Sequence, residues 1–234
     1  MPPGKKPFVY TSHIYEQDIV YLQTTLLTWY EVYGRTFPWR EDNRSEYELI
    51  VAEILLQRTR AKTISSFFLS FISQFSDWQS LVNTSDNDLE IFLRPIGLAS
   101  QKAKRLKSLA IEMVKRNCVL PSQRSELETM PFFGQYIANA IEVLIFQRPA
   151  PLLDVNMERV LERYFGPRRL VDIRYDPYLQ ELAKRFVDYP RLREINWAIL
   201  DFAALICQVA VPKCNHCILN MNCAYFEKNL INTT

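Results

Sequence analysis

The chain has 234 residues, of which 48% are hydrophobic and 13% aromatic, and its 28 lysines and arginines nearly balance 26 aspartates and glutamates to give a net charge of +2. This composition supplies a full hydrophobic core and excludes a largely disordered chain, and any basic surface must be local rather than global. Because no apolar run has the length of a membrane span and the N-terminal segment lacks a secretory signal, we expect a soluble, cytoplasmic protein with no membrane partner.

Helical periodicity dominates the chain from residue 47 onward, and no segment shows the alternating pattern of a strand. Glycines at 97, 134 and 166 fall between the helical runs, where a turn or a helix end is needed. We therefore predict an all-α protein with short connections. The predicted helices are 47–60, 62–75, 100–116, 135–146, 155–164 and 177–187.

Glu53 lies in the first of these helices. Its helical neighbours at three and four residues are Leu49, Ile50 and Leu56, which places the carboxylate on an apolar face. Desolvation on that face would favour the protonated form and make Glu53 a candidate general acid. The alternative is a surface glutamate at the edge of the core.

Basic residues concentrate in two clusters. Each cluster is compatible either with contact to phosphate or with an ordinary solvated helix face. The clusters are Arg58, Arg60 and Lys62, and then Lys102, Lys104, Arg105, Lys107, Lys115 and Arg116.

A helix, a hairpin and a second helix are predicted around Gly134. Ser125 and Glu128 match a capping box for a short helix that Pro131 closes, and the second helix begins just after Gly134. Tyr136, near the start of this second helix, is either an active-site residue or part of the core.

Asp154 lies where an extended apolar segment meets a new helix. An aspartate in this position is a strong N-cap. A capping carboxylate that accepts backbone N–H bonds stays ionised, and an ionised carboxylate can stabilise a cationic transition state. The capping role and a catalytic role are therefore compatible.

Four cysteines near the C-terminus, Cys207, Cys214, Cys217 and Cys223, have the spacing C-x6-C-x2-C-x5-C. A zinc site usually shows two separated C-x2-C pairs, whereas one tight pair flanked by single cysteines suits the four corners of a cubane. We predict that they bind a [4Fe–4S] cluster, and the alternatives are a structural zinc ion or a pair of disulfides. The fifth cysteine, Cys118, is predicted to be a buried free thiol.

The order of these features resembles that of the helix-hairpin-helix DNA glycosylases of the iron–sulfur branch, which include endonuclease III, the MutY adenine glycosylases and the archaeal mismatch-specific thymine glycosylases. The resemblance implies a two-lobed fold with a six-helix barrel at 38–148, containing the helix-hairpin-helix at about 125–147, and an iron–sulfur cluster lobe formed by 1–37 and 149–234. The matching stretches are TFPWR (36–40), YELIVAEILLQRT (47–59), the IGL and basic residues at 96–107, PFFGQYIANA (131–140), LLDVNMERVLERYFG (152–166) and 201–223.

The resemblance also implies roles for individual residues. Asp154 would be the active-site carboxylate, Glu53 the acid near the flipped base and Tyr136 an active-site wall, with Asn156 as a helper. In the lyase members of the family, a lysine that attacks the sugar occupies the position of Tyr136. The resemblance therefore implies a monofunctional glycosylase with little or no lyase activity.

Contacts to DNA follow from the same resemblance. Arg58 would fill the gap left by the flipped nucleotide, Gln57 would contact the orphaned guanine, and Gly134 and Gln135 would belong to the hairpin that approaches the phosphate backbone. Phe132 replaces the first hairpin glycine of the family, and it either weakens this anchor or substitutes an apolar contact.

The segment LLQRTRA is more similar to the thymine glycosylases than to the adenine enzymes, and the MutY enzymes continue into a domain that reads 8-oxoguanine, whereas this chain ends eleven residues after Cys223. We therefore expect a monomeric, nucleoid-associated enzyme that removes thymine or uracil opposite guanine from double-stranded DNA. The alternatives are a MutY-type adenine glycosylase without the C-terminal domain, a glycosylase for another modified base, a lyase, and a DNA-binding module that kept the fold without catalysis.

Overall fold

The computed structural model describes residues 14–231, with side chains for residues 14–228. As predicted, the described residues are helical and contain no strand. None of their helices is long and apolar enough to cross a membrane. The α-helices are α1 (Glu16–Tyr33), α2 (Glu46–Leu56), α3 (Ala61–Gln74), α4 (Trp78–Asn83), α5 (Asp86–Leu93), α6 (Ala99–Lys115), α7 (Arg124–Leu127), α8 (Gln135–Leu144), α9 (Val155–Phe165), α10 (Pro177–Val187), α11 (Leu192–Leu205) and α12 (Ala224–Ile231).

The chain divides into two compact units. The continuous unit is Arg35–Leu152 and holds α2 to α8. The discontinuous unit joins the chain up to Gly34 to the chain from Leu153 onward, and it holds α1 and α9 to α12. The assignment of a six-helix barrel to 38–148 and of a cluster lobe to the remainder stays a prediction.

In the discontinuous unit, α1 packs against α10 and α11. Leu22 is fully buried, and the Trp29 ring meets the Phe202 ring edge-on with the centroids 5.2 Å apart. The Nε2 of Gln23 donates a hydrogen bond to the carbonyl of Phe186 at 2.8 Å. The buried amide is thereby satisfied, and it joins α1 to a segment more than 160 residues later.

The continuous unit is built around α2, which packs against α3, α6 and α8. A capping box begins this helix, because Ser45 Oγ accepts from the Glu48 N–H while the Glu48 carboxylate accepts from the Ser45 N–H. Every residue from Leu49 to Leu55 is buried. Because apolar neighbours surround α2, any polar side chain on it is withdrawn from water.

Two predictions about helix ends differ from the structure. The helix predicted at 47–60 corresponds to α2, which ends at Leu56. The capping box proposed at Ser125 is wrong, because Ser125 lies inside α7 and the N-cap residue of that helix is Gln123, which makes no side-chain cap.

Cys118 is exposed rather than buried, in contrast to the prediction. The chain turns immediately after α6, where Asn117 and Cys118 both adopt positive φ angles of 54° and 62°. Consecutive left-handed residues lead the backbone away from the helix axis, so the apolar neighbours of Cys118 in sequence do not enclose it.

Candidate active site and metal centre

Asp154 forms the predicted N-cap of α9. Its Oδ1 accepts hydrogen bonds from the backbone N–H groups of Asn156 at 2.8 Å and Met157 at 3.0 Å. Its Oδ2 accepts from the side-chain Nδ2 of Asn156 at 2.6 Å. Three N–H donors therefore hold a half-buried carboxylate in one orientation at the positive end of a helix.

Asn156 is itself held by Arg159, one turn further along α9. Nη2 of Arg159 donates to Asn156 Oδ1 at 3.1 Å and to the Ala203 carbonyl at 3.1 Å, while Nε donates to the Cys207 carbonyl at 2.8 Å. Burial lowers the pKa of the Arg159 guanidinium, and the charges of Cys207 and Asp154 oppose that shift. Arg159, which we did not single out from the sequence, connects the cap of α9 to the first cysteine of the predicted cluster set.

The four cysteines follow α11 along the chain. All four are half-buried and none forms a disulfide, which is contrary to the disulfide alternative. The pKa of the Cys217 thiol is raised to about 11, first by burial and then by the charges of the other three sulfurs, while the backbone N–H of Leu219 opposes this shift. Burial likewise raises the pKa of Cys214 and of Cys223, again with contributions from neighbouring cysteines.

Hydrogen-bond donors surround these sulfurs. The backbone N–H of Leu219 bonds to the sulfur of Cys217, the N–H groups of Tyr225 and Phe226 bond to that of Cys223, and Arg163 Nη1 lies 3.4 Å from Cys207 Sγ. The Cys223 thiol donates to the Arg163 carbonyl at 3.2 Å, a bond that metal binding would replace.

The chemistry of this donor set fits an iron–sulfur cluster, since such a cluster uses four cysteine thiolates with N–H donors to sulfur. In the part of the chain that the structure describes, no three His, Cys, Asp or Glu side chains are gathered as a metal-ion site. The ligand assignment of the four cysteines stays a prediction.

In the continuous unit, Glu53 is only 6% exposed, which removes the alternative of a surface glutamate. It lies on α2, which packs against α8, the helix that carries Tyr136 near its start. An apolar recess surrounds Glu53, and its other lining residues are Leu49, Ile50, Ile137, Ala140, Ile141, Leu144 and Ile145.

Gly134 is the exposed N-cap residue of α8, in an extended conformation, and Gln135 and Tyr136 are the first residues of the helix. Tyr136 is half-buried and packs against the core of its unit. The helix-hairpin-helix predicted from the sequence is therefore formed by α7, the turn that contains Phe132, and α8. The DNA contacts of Gly134 and Gln135 stay predictions.

The loop that follows α2 contains Gln57 and Arg58. Arg58 is exposed and has a φ of +56°, so the helix cannot continue through it. Lys102 Nζ donates to the Gln57 carbonyl at 3.0 Å and to Thr59 Oγ1 at 2.9 Å, and Arg105 contacts the Gln57 side chain. These contacts explain why α2 ends before the residue predicted from its pattern.

The structure reduces the number of lysines on α6 that can contact phosphate. Lys102 is only 2% exposed and cannot meet phosphate, and desolvation lowers its pKa with help from the charge of Arg105. Lys107 Nζ is bound to the carbonyls of Leu81 and Val82. Lys104 and Lys115 remain exposed for such a contact.

Strained backbone conformations occur beside the loop that contains Gln57 and Arg58. Leu98 has a φ of +53° and is 40% exposed, and Thr59 Oγ1 donates to the carbonyl of Ile96 just before it. Phe132 in the hairpin has a φ of +64° and is 45% exposed. Left-handed non-glycine residues concentrate at functional sites, and the IGL motif was the signal that could have drawn attention to Leu98.

A model of the HhH-GPD superfamily, whose members are described as base excision DNA repair proteins, matches residues 51–186, more than half of the chain. The chain belongs to this superfamily. A thymine/uracil-DNA glycosylase of Methanothermobacter thermautotrophicus is 32% identical to this chain, over 88% of this chain and 93% of that protein.

A solved structure and a second protein are also similar to this chain. A solved thermostable thymine-DNA glycosylase superposes with a TM-score of 0.84 at 30% identity, covering 91% of this chain and 98% of that one. An adenine DNA glycosylase of Buchnera aphidicola is also 32% identical over 88% of this chain, but the match covers only 60% of that protein. The predicted fold class and the predicted resemblance to thymine glycosylases are confirmed.

Proposed function

We propose that this protein is a monofunctional DNA glycosylase that hydrolyses the N-glycosidic bond of thymine or uracil opposite guanine in double-stranded DNA, and so begins base excision repair. Membership of the HhH-GPD superfamily supports the reaction class. The thymine/uracil-DNA glycosylase that matches nearly end to end supports the choice of base. The observation that carries the mechanism is the carboxylate of Asp154, held by three N–H donors at the start of α9.

Asp154 is the proposed stabiliser of the reacting sugar. Cleavage of the bond between the base nitrogen and C1′ leaves positive charge on the deoxyribose, as in glycoside hydrolysis. A carboxylate whose position is fixed before the reaction stabilises that charge without reorganising. Water then adds to C1′ and loses a proton, and the product is an abasic site. Asn156 supports this step by holding Oδ2 of Asp154.

Glu53 and Tyr136 are the proposed groups that assist departure of the base. The electron pair of the broken bond leaves with the base, and a hydrogen bond or a proton from the protein stabilises it. Glu53 suits this role because its buried carboxyl group lines an apolar recess, where a hydrogen bond to the base is stronger than in water.

Four of the residues proposed to contact DNA lie in the continuous unit. Arg58 fills the space of the flipped nucleotide, Gln57 contacts the orphan base, and Gly134 and Gln135 approach the phosphate backbone through the hairpin. The exposure of Arg58 and the left-handed backbone that projects it support this assignment.

We also propose that Cys207, Cys214, Cys217 and Cys223 bind a [4Fe–4S] cluster. When bound, the cluster cross-links the segment that follows α11. The loop between the first two ligands exposes Lys213, which is free to contact phosphate. Purified protein would then contain roughly four irons per chain and absorb visible light. Colourless protein that contains one zinc ion would contradict this assignment.

Excision assays on defined duplexes test the function. The duplexes carry G·T, G·U, A·8-oxoguanine or a modified cytosine opposite guanine, and each product is divided and analysed with and without alkali. We expect strand breaks in the G·T and G·U duplexes only after alkali. Excision confined to A·8-oxoguanine would favour the adenine glycosylase, and intact bases in every duplex would favour a binding module.

The same assay tests the absence of a lyase, since breaks without alkali would contradict the monofunctional proposal.

We further propose that the protein acts as a monomer on nucleoid DNA in the cytoplasm. Light scattering of the free protein and of its complex with a single duplex tests this stoichiometry.

A further inference from the structure

The amide of Gln57 contacts the guanidinium of Arg105 on α6, 48 residues later in the chain. Nη1 of Arg105 donates to Oε1 of Gln57. Among residues 14–228, no acceptor is hydrogen-bonded to the Nε2 of Gln57. The oxygen of this amide is therefore engaged by the protein, and its NH2 group is not.

We infer that Arg105 is a positioning residue that fixes the amide of Gln57, so that Gln57 offers only N–H donors to the orphan base and selects a base that presents a hydrogen-bond acceptor. This inference rests on the proposed function, in which Gln57 contacts the base left behind by the flipped nucleotide. It adds a second specificity-determining residue, together with the chemical group that the partner base must carry.

The chemistry of arginine decides which end of the amide faces outward. A guanidinium carries five N–H donors and no acceptor. Whichever way the O and N atoms of the Gln57 amide are assigned, the atom that faces Arg105 must therefore be the acceptor Oε1 and not the donor Nε2. A glutamine without such a neighbour can rotate and present its oxygen to a donor instead. With Arg105 in place, Gln57 cannot present its oxygen to a donor on the base.

Lys102 fixes the backbone of the same loop. It lies one turn before Arg105 on α6 and is 2% exposed. Its ammonium group donates to the Gln57 carbonyl at 3.0 Å and to Thr59 Oγ1 at 2.9 Å. A buried ammonium keeps such partners because losing them would leave a desolvated charge, so both the backbone and the side chain of Gln57 are held in place.

Phe132 connects this arrangement to the hairpin. The guanidinium carbon of Arg105 lies 5.8 Å from the centre of the Phe132 ring, within the range of a cation–π contact. The ring takes the position where the related enzymes have glycine, and it does so with a strained, left-handed backbone. The ring limits the movement of the Arg105 guanidinium on the side of the hairpin. This contact is the function that we assign to Phe132 in place of the usual glycine.

Guanine meets the requirement for an acceptor. It presents O6 and N7 in the major groove and N3 in the minor groove, whereas its 2-amino group is a donor and gains nothing from a further donor. Deletion of one acceptor should therefore weaken recognition, and deletion of the 2-amino group should not.

Binding to product-like duplexes tests the inference without requiring catalysis. Each duplex carries a tetrahydrofuran abasic analogue opposite guanine, hypoxanthine, 6-thioguanine (no O6, with a weakly accepting sulfur in its place), 7-deazaguanine (no N7) or 3-deazaguanine (no N3), and affinity is measured by fluorescence anisotropy. The full chain should bind the guanine and hypoxanthine duplexes equally. One of the three duplexes that lack an acceptor should bind about tenfold more weakly, the effect of a lost base-edge hydrogen bond.

Variants at the positioning residue complete the test. In Arg105→Met the amide can rotate and accept a hydrogen bond. This variant should lose the preference for an acceptor, and it should bind the hypoxanthine duplex, which lacks the 2-amino group, more weakly than the guanine duplex. Arg105→Lys keeps a donor-only neighbour and should retain the parent pattern, and Phe132→Leu should reduce it. A parent pattern retained by Arg105→Met, or equal parent affinity for all five duplexes, overturns the inference.

This outcome is separable from failure of the proposed function. Protein that prefers an acceptor but excises no base in any duplex contradicts the glycosylase and supports the positioning role of Arg105. Protein that excises bases but binds all five abasic duplexes equally contradicts the positioning role alone. Protein that binds none of them and excises no base in any duplex overturns both.

Discussion

Arg159 and Asn156 are joined by a hydrogen bond of 3.1 Å between Nη2 and Oδ1. Through this bond the proposed catalytic aspartate is coupled to the segment of the cysteines, because Asn156 also bonds Asp154 and Arg159 also bonds the carbonyl of Cys207. A shift of the first cysteine would therefore be transmitted to the carboxylate through three hydrogen bonds.

Replacement of Arg159 by methionine should slow base excision by about ten- to a hundredfold, since a small displacement of a catalytic group has effects of this size. DNA affinity should change little, because Arg159 supports Asn156 and not the duplex. Single-turnover rates and anisotropy measure the two effects separately. Arg174→Met is the matched control, since Arg174 lies on the surface of the same unit, where it pairs with Asp172 and lies over the Tyr175 ring. Equal losses in both variants would contradict the coupling.

Asp154→Asn should separate the cap from the charge. Asparagine caps helices about as well as aspartate, so stability should change by less than about 1 kcal/mol, whereas excision should fall by about 10³-fold because the negative charge is gone. Asp154→Ala should lose activity and also about 1 kcal/mol of stability. Urea unfolding and single-turnover excision distinguish these outcomes, and an Asp154→Asn protein as active as the parent would remove Asp154 from the mechanism.

Local features of the site could be predicted from the sequence, whereas features that depend on distant residues could not. The cap at Asp154 was predictable because its donors, Asn156 and Met157, are the next residues along the chain. The end of α2 was not, because Gln57 and Arg58 are ordinary helix residues and the contacts that end the helix come from Lys102, 45 residues away. Arg159 was missed for the same reason, since its partner carbonyl belongs to Cys207.

Tyr136→Lys should introduce lyase activity. The side chain would then supply an amine at the position where the lyase members of the family carry one, and an amine can attack C1′ to form a Schiff base. Strand breaks without alkali, together with covalent trapping by borohydride, measure this gain. Tyr136→Met is the control without an amine and should yield no trapped complex. Failure of the lysine variant to form any adduct would contradict the placement of Tyr136 beside the sugar.

Asp176 should make the protein sensitive to acid. Its side chain is fully buried at the start of α10, and although burial raises its pKa, hydrogen bonds from the backbone N–H groups of Leu179, Leu170 and Arg169 lower it on balance. Its contribution to stability is therefore complete above the unfolded value of about 3.9 and is lost as the pH falls through the lower folded value.

Asp176→Asn tests this dependence. The variant should be about 1–3 kcal/mol less stable at neutral pH, because one amide oxygen replaces two carboxylate oxygens that accept three bonds. Urea midpoints measured between pH 7 and pH 3 should show the difference between parent and variant shrinking as the pH falls. A constant difference over this range would contradict the assigned role.

Phe132→Gly should leave stability unchanged or raise it by up to about 1 kcal/mol. A left-handed backbone strains phenylalanine but not glycine, and the half-exposed ring of Phe132 contributes little to the core. Phe133→Ala is the contrasting variant, since Phe133 is buried and its loss should cost about 3–5 kcal/mol. Thermal unfolding compares them, and a large loss in Phe132→Gly would show that the ring stabilises the fold.

The discontinuous unit imposes an order on events at the ribosome. Helix α1 is synthesised first, but its partners α10 and α11 follow more than 140 residues later, so at roughly 5–20 residues per second its apolar face stays uncovered for several seconds or more. Meanwhile Arg35–Leu152 has emerged whole and can complete its own fold. Nascent chains stalled before α10 should therefore expose α1 to chaperones, and the proposed cluster could form only after α11 and the four cysteines that follow it have been made.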